Sequence, residues 1–124
     1  MPTVLIVDDC PAVRTTLRSL LEKHLSSVVC IEASNGLDAI AMTEVSCPDL
    51  IILDLGMPGT NGFTAATVLH EMKPQVPLFM FTSHDKRDVE SRAASVGILA
   101  VFSKYTGIDA LLTRVSELLC QVHA

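Results

Sequence analysis

A chain of 124 residues, 49% apolar and 19% charged, has room for one core and too much apolar character for a disordered segment. Its 14 acidic and 9 basic residues give a formal charge of −5, and aromatics are 4% with no Trp. Neither a basic footprint for nucleic acid nor a base-stacking platform is present in that composition. The N-terminus, Met1-Pro2-Thr3, runs straight into Val4-Leu5-Ile6-Val7, without the basic start and longer apolar run of a secretory leader. No apolar run nears the roughly 20 residues needed to span a bilayer. One cytoplasmic domain over residues 1–124 is therefore expected. Cys10, Cys30, Cys47 and Cys120 form no C-x-x-C pair, which argues against zinc and thioredoxin-like sites. Cys30 and Cys120 read as small buried hydrophobes.

Taken in order, the first β-rich run is Val4–Val7. Pro11 then opens a helix with Val13, Leu17, Leu20, Leu21 and Leu25 on one face. A second strand, Val28–Glu32, precedes the Asn35-Gly36 turn and a helix expected to bury Leu37, Ile40, Ala41 and Val45. The third strand is Leu50–Leu53; Phe63, Ala66, Leu69 and Met72 mark the helix after it, which ends before Pro74. The fourth strand is Leu78–Phe81, followed by a shorter helix with Val89, Ala93 and Val96 inward and Gly97 as its stop. Asp85-Lys86-Arg87-Asp88 reads as a solvated loop leading into that helix, with Ser83 available as its cap. The fifth strand is Ala100–Phe102, and a last helix carries Ile108, Leu111, Leu112, Val115, Leu118, Leu119 and Val122 at a period near 3.6.

Five β-α repeats with continuously apolar strands call for a parallel sheet covered by helices on both faces, a five-stranded doubly wound α/β architecture. Such sheets bind ligands beyond the carboxyl ends of their strands. Asp8-Asp9, Asp54, Thr82-Ser83 and Ser103-Lys104 stand at those ends and would converge on one rim. Three carboxylates brought together repel unless a cation joins them. All-oxygen ligands select a hard cation, and Mg²⁺ keeps only one or two carboxylates. A remaining carboxylate is free to attack a phosphoryl group, with Lys104 and Thr82 placed to contact its oxygens.

V-L-I-V-D-D at 4–9, L-D-L-G-M-P-G-T-N-G at 53–62, F-T-S at 81–83 and F-S-K at 102–104 together resemble the response-regulator receiver domain of two-component signalling, in its single-domain, chemotaxis-regulator-like form. The resemblance covers essentially the whole chain. It implies a flavodoxin-like sheet of order 2-1-3-4-5 and a phosphorelay switch. The phosphoryl donor would be a phosphohistidine on a histidine kinase or histidine phosphotransfer protein. By that resemblance Asp54 is the phosphoacceptor, and Asp9 the nearest carboxylate to Mg²⁺. Asp8 acts through the metal's water shell, and Gly56 offers its backbone carbonyl. Thr82 is the switch hydroxyl and Lys104 the phosphate-contacting lysine. Gly56, Gly59 and Gly62, half of the six glycines, shape the loop after the third strand.

The sequence departs from the family at two positions. Val101 stands where an aromatic switch is common, and Tyr105 where a proline follows the lysine. Gly56 and His84, each two residues past a site residue, are expected to flank the site and govern water's access to an acyl phosphate. The role expected is a self-phosphorylating and self-dephosphorylating switch that turns over no metabolite. Its output would be through the fourth helix, fifth strand and fifth helix, to a downstream protein or a homodimer. No effector domain, membrane contact or direct nucleic-acid contact is expected. The alternative is a degenerate receiver that binds partners without phosphorylation. An aspartate-nucleophile phosphatase would need a second Asp where Gly56 stands.

Overall fold

The computed structural model describes residues 1–57, 59 and 61–122; of residues 120–122 it describes the backbone. Expectations on Pro58, Thr60, His123 and Ala124, and on the side chains of Cys120 and Val122, lie outside the described residues. Among these, five strands and five helices alternate: β1 (Thr3–Val7), α1 (Pro11–His24), β2 (Val29–Ala33), α2 (Gly36–Ser46), β3 (Leu50–Leu53), α3 (Gly62–Met72), β4 (Leu78–Thr82), α4 (Lys86–Ser95), β5 (Ile98–Ser103) and α5 (Ile108–Val122). The strands form one parallel sheet in the order β2-β1-β3-β4-β5, as the sequence leads one to expect.

Strand alternation divides the core into two layers. Leu5, Val7, Ile51, Leu53, Leu78, Met80 and Val101 face α2, α3 and α4. Val4, Ile6, Leu50, Ile52, Phe79, Phe81 and Phe102 face α1 and α5. Both faces of the central strands are dry, which is why β1 and β3 read as unbroken apolar runs. Phe79 and Phe102 meet edge to face at 5.4 Å on the second face.

Local chemistry fixes the helix starts. Pro11 occupies the first turn of α1, where its missing N–H costs nothing. Asn35 Oδ1 accepts from Asp38 N at 2.8 Å, and Asn61 Oδ1 from Thr64 N at 2.9 Å, capping α2 and α3. The cap of α4 is Asp85, not Ser83: its carboxylate accepts from Arg87 N at 2.9 Å. Lys86, Arg87 and Asp88 are thus the first helical turn rather than loop, because a charged run with an Asp ahead of it is a good helix start.

One helix face differs from the expected one. In α2, Leu37 and Val45 are 72% and 85% exposed, whereas Gly36, Ala39 and Thr43 are buried. This helix is apolar nearly all round, so spacing does not select its inner face. The small residues Gly36 and Ala39 do, because they bring its backbone close to the sheet and α3. The bounds of β5 also shift. Leu78 pairs with Ile98 and Phe79 with Ala100, leaving Leu99 as an extra, exposed residue. The strand therefore starts two residues before Ala100.

Candidate functional site

The carboxyl ends of β1, β3, β4 and β5 bring the predicted residues to one rim. Asp54 N donates to Val7 O at 2.9 Å and Lys104 N to Thr82 O at 2.8 Å, so sheet hydrogen bonds fix neighbouring strand ends against each other. Carboxylate oxygens of Asp8, Asp9 and Asp54 lie within 4.8 Å of one another. Asp8 and Asp54 are buried and Asp9 is exposed, so the cluster opens to solvent on the Asp9 side. Lys104 Nζ reaches Asp8 Oδ2 at 2.7 Å and Asp54 Oδ1 at 3.3 Å.

One ammonium does not balance three carboxylates. Burial first, then the charge of Asp8, raise the Asp54 carboxyl above the ordinary aspartate range, and Lys104 offsets only part of this. Burial works against the Lys104 ammonium, but its hydrogen bond to Asp8 and the charges of Asp54 and Asp8 outweigh that, and its pKa rises. A hard divalent cation suits this donor set: oxygen ligands only, excess negative charge, one open side.

The loop after β3 is shaped by its glycines. A Cβ on Gly62 would run into the Asp54 carbonyl and lie 2.7 Å from Leu55 Cα, so only glycine fits there, and Gly62 N donates to Leu55 O at 2.6 Å. Gly59 sits at φ +78°. Gly56 meets neither constraint; the space above it is taken by His84, whose Cε1 lies 3.7 Å from where a Gly56 Cβ would be. The side expected to be left open by Gly56 is thus partly covered by the other flanking residue.

Thr82 is fully buried, and its hydroxyl engages His84 twice: Oγ1 accepts from the His84 backbone N–H at 3.1 Å and pairs with Nδ1 at 3.2 Å. Val101 is buried in the α2–α4 layer, Phe102 points to the opposite face, and Tyr105 is 79% exposed. The Lys104–Tyr105 peptide is trans.

A second charged cluster adjoins the first and was not anticipated. Arg14 Nε bonds Glu32 Oε1 at 2.9 Å, and Arg18 Nε lies 3.2 Å from Glu32 Oε2. Arg14 Nη1 also donates to the Asp8 carbonyl at 2.7 Å, and Arg18 Nη2 to the Cys30 carbonyl. The spacing of four puts the two arginines on one face of α1 but does not name Glu32, on β2, as their partner. Between α1 and the start of α5 a cavity of about 350 Å³ opens, lined by Val13, Leu17, Leu20, Phe81 and Ile108, with Lys104 at its edge.

The sequence matches the Response regulator receiver domain family over residues 4–116. The chain belongs to that family. Protein PilH of Pseudomonas aeruginosa is 31% identical over 121 residues, covering 96% of this chain and 98% of PilH. A protein-glutamate methylesterase/protein-glutamine glutaminase of Methanospirillum hungatei is 36% identical over 107 residues, 84% of this chain but 30% of that protein. The match to the nitrate/nitrite response regulator NarL of Escherichia coli likewise spans 40% of that protein's length. Among solved structures, the chemotaxis response regulator CheY4 of Vibrio cholerae superposes with a TM-score of 0.82 at 25% identity, covering 95% of this chain and 98% of that one. The Francisella response regulator 1452 receiver domain shares the fold, with a TM-score of 0.87, 21% identity and coverage of 98% and 99%. This receiver domain therefore carries the two-component signalling fold, with an acidic cluster at the carboxyl rim of its sheet.

Proposed function

We propose that the domain is a phosphoacceptor switch of a phosphorelay, with Asp54 as acceptor. The observation that carries this is the buried Asp54 carboxylate, 3.3 Å from Lys104 and grouped with two further carboxylates at the end of β3. Asp8, Asp9, Asp54 and the Gly56 carbonyl would hold Mg²⁺, which when bound supplies charge neutralisation for an incoming phosphoryl group. An Asp54 oxygen attacks phosphorus; the P–N bond to the donor histidine breaks and its electron pair leaves with the imidazole. Lys104 and the Thr82 hydroxyl then contact phosphoryl oxygens, so Lys104 exchanges part of its pairing with Asp54 for the new charge. The domain turns over no metabolite in this reading; it gains and loses its own phosphoryl group.

The donor is a histidine kinase or histidine phosphotransfer protein, and the apolar cavity beside Lys104 offers such a protein a seat next to the acceptor. The exposure of Leu99 and Tyr105, 56% and 79%, supports reading the α4–β5–α5 face as the output surface for a downstream protein or a second copy. No helix among the described residues is long and apolar enough to cross a membrane. A cytoplasmic location goes with the free thiols of Cys10, Cys30 and Cys47. The test uses phosphoramidate, a small P–N donor. One phosphoryl group should map to Asp54, survive acid, yield to hydroxylamine, and vanish in Asp54→Asn. Labelling that persists in Asp54→Asn at a Ser or His would overturn the assignment, and no labelling at all would favour a phosphorylation-independent binding module.

A further inference from the structure

We propose that His84 is the resting partner of the Thr82 hydroxyl, and that breaking this bond, rather than swinging an aromatic ring on β5, carries phosphorylation of Asp54 to α4. The inference rests on the phosphoacceptor reading and adds the residue through which this chain transmits it.

Thr82 has one hydroxyl proton. Its oxygen accepts from the His84 backbone N–H at 3.1 Å and lies 3.2 Å from His84 Nδ1; in the proposed tautomer, with the other ring nitrogen protonated, the hydroxyl proton goes to Nδ1. The same proton is the one Thr82 must offer to a phosphoryl oxygen. His84 and the phosphoryl group therefore compete for a single donor, and filling the site frees the imidazole.

The position of His84 turns that release into movement. Its ring reaches from the β4–α4 loop toward the loop after β3, with Cε1 3.7 Å from where a Cβ on Gly56 would stand. One residue further on is Asp85, which caps α4 through Arg87 N at 2.9 Å. A shift of His84 therefore acts directly on the helix start. β5 offers no ring for the usual coupling. Val101 is 4% exposed and aliphatic, and Phe102 lies on the opposite sheet face against Phe79. His84 itself is exposed, so its substitution leaves the core intact.

The experiment compares the parent with His84→Leu, which removes the polar ring, and His84→Asn, whose amide puts a polar atom near the place of Nδ1. Hydrogen exchange of the amides of residues 83–88 is measured before and after labelling with acetyl phosphate and Mg²⁺. In the parent, labelling should speed their exchange. In His84→Leu, exchange should already be about fivefold faster without phosphoryl donor, the worth of one hydrogen bond, and labelling should add little. His84→Asn should restore the parental difference, which a merely structural role for the ring would not predict. Labelling of Asp54 with the same exchange response in His84→Leu as in the parent would overturn this inference alone. Absence of labelling in the parent would overturn the phosphoacceptor reading and this inference with it.

Discussion

At the carboxyl end of β1 two charged clusters meet across the backbone of Asp8. On one side Arg14 and Arg18 grip Glu32, two cations to one anion, and the spare hydrogen bonds of both arginines go to the carbonyls of Asp8 and Cys30. On the other, Asp8, Asp9 and Asp54 lie together, and among the described residues one ammonium, that of Lys104, pairs with Asp8 and Asp54. The first cluster holds its one carboxylate between two guanidiniums and ties α1 to β2 and β1. The second is short of positive charge, and burial first, then the charge of Asp8, hold the Asp54 carboxyl above its ordinary range. The difference lies in the sign of the excess: a carboxylate flanked by two guanidiniums ties elements together, whereas carboxylates that outnumber their cation leave negative charge for the Mg²⁺ proposed above.

Four substitutions probe that contrast, in order of expected effect. Lys104→Met removes the one cation that pairs with the deficient cluster among the described residues, leaving two buried carboxylates without their partner. It should cost about 3 kcal/mol of stability in chelator, read by urea unfolding, and Mg²⁺ should return part of it. Asp9→Asn should leave the fold intact, because Asp9 is exposed, and weaken Mg²⁺ binding about tenfold, or ~1.4 kcal/mol, by calorimetry. Equal affinity in variant and parent would remove Asp9 from the metal site. Glu32→Gln should do the reverse: a loss of about 1 kcal/mol in unfolding, with Mg²⁺ affinity unchanged. The smallest effect is a pH dependence. The folded pKa of Asp54 is raised, so its contribution favours folding below the ordinary aspartate range and is withdrawn as pH climbs through the raised value. Asparagine does not titrate. Without Mg²⁺, the stability of Asp54→Asn relative to the parent should therefore rise across that window and then level off, by thermal unfolding in a pH series.

The fold and the rim were legible because each rests on a strong local signal. Unbroken Val, Leu and Ile runs fix buried parallel strands, and the polar residues that end them fall on one edge by topology alone. Where the signal was weak, the reading failed for identifiable reasons. Leu37 and Val45 look like an inner face only because α2 is apolar on every side; the small Gly36 and Ala39 decide which face packs. Asp85 was hidden in a charged run whose first member is a cap. The Arg14–Glu32–Arg18 cluster joins residues from two elements, and no spacing within one element reveals it. His84 was placed beside the site by its distance from Thr82 in the chain, but its two bonds to the Thr82 hydroxyl depend on the turn after β4, which the sequence does not specify.

The central claim is that the charge-deficient cluster is a Mg²⁺-dependent phosphoacceptor. It is tested most directly by the rate at which acetyl phosphate labels Asp54 in EDTA and in excess Mg²⁺, with the label mapped by peptide mass. The account predicts labelling of Asp54 in Mg²⁺, none in EDTA, and full recovery when Mg²⁺ is returned. Labelling at the same rate in EDTA, or at a residue other than Asp54, would contradict it.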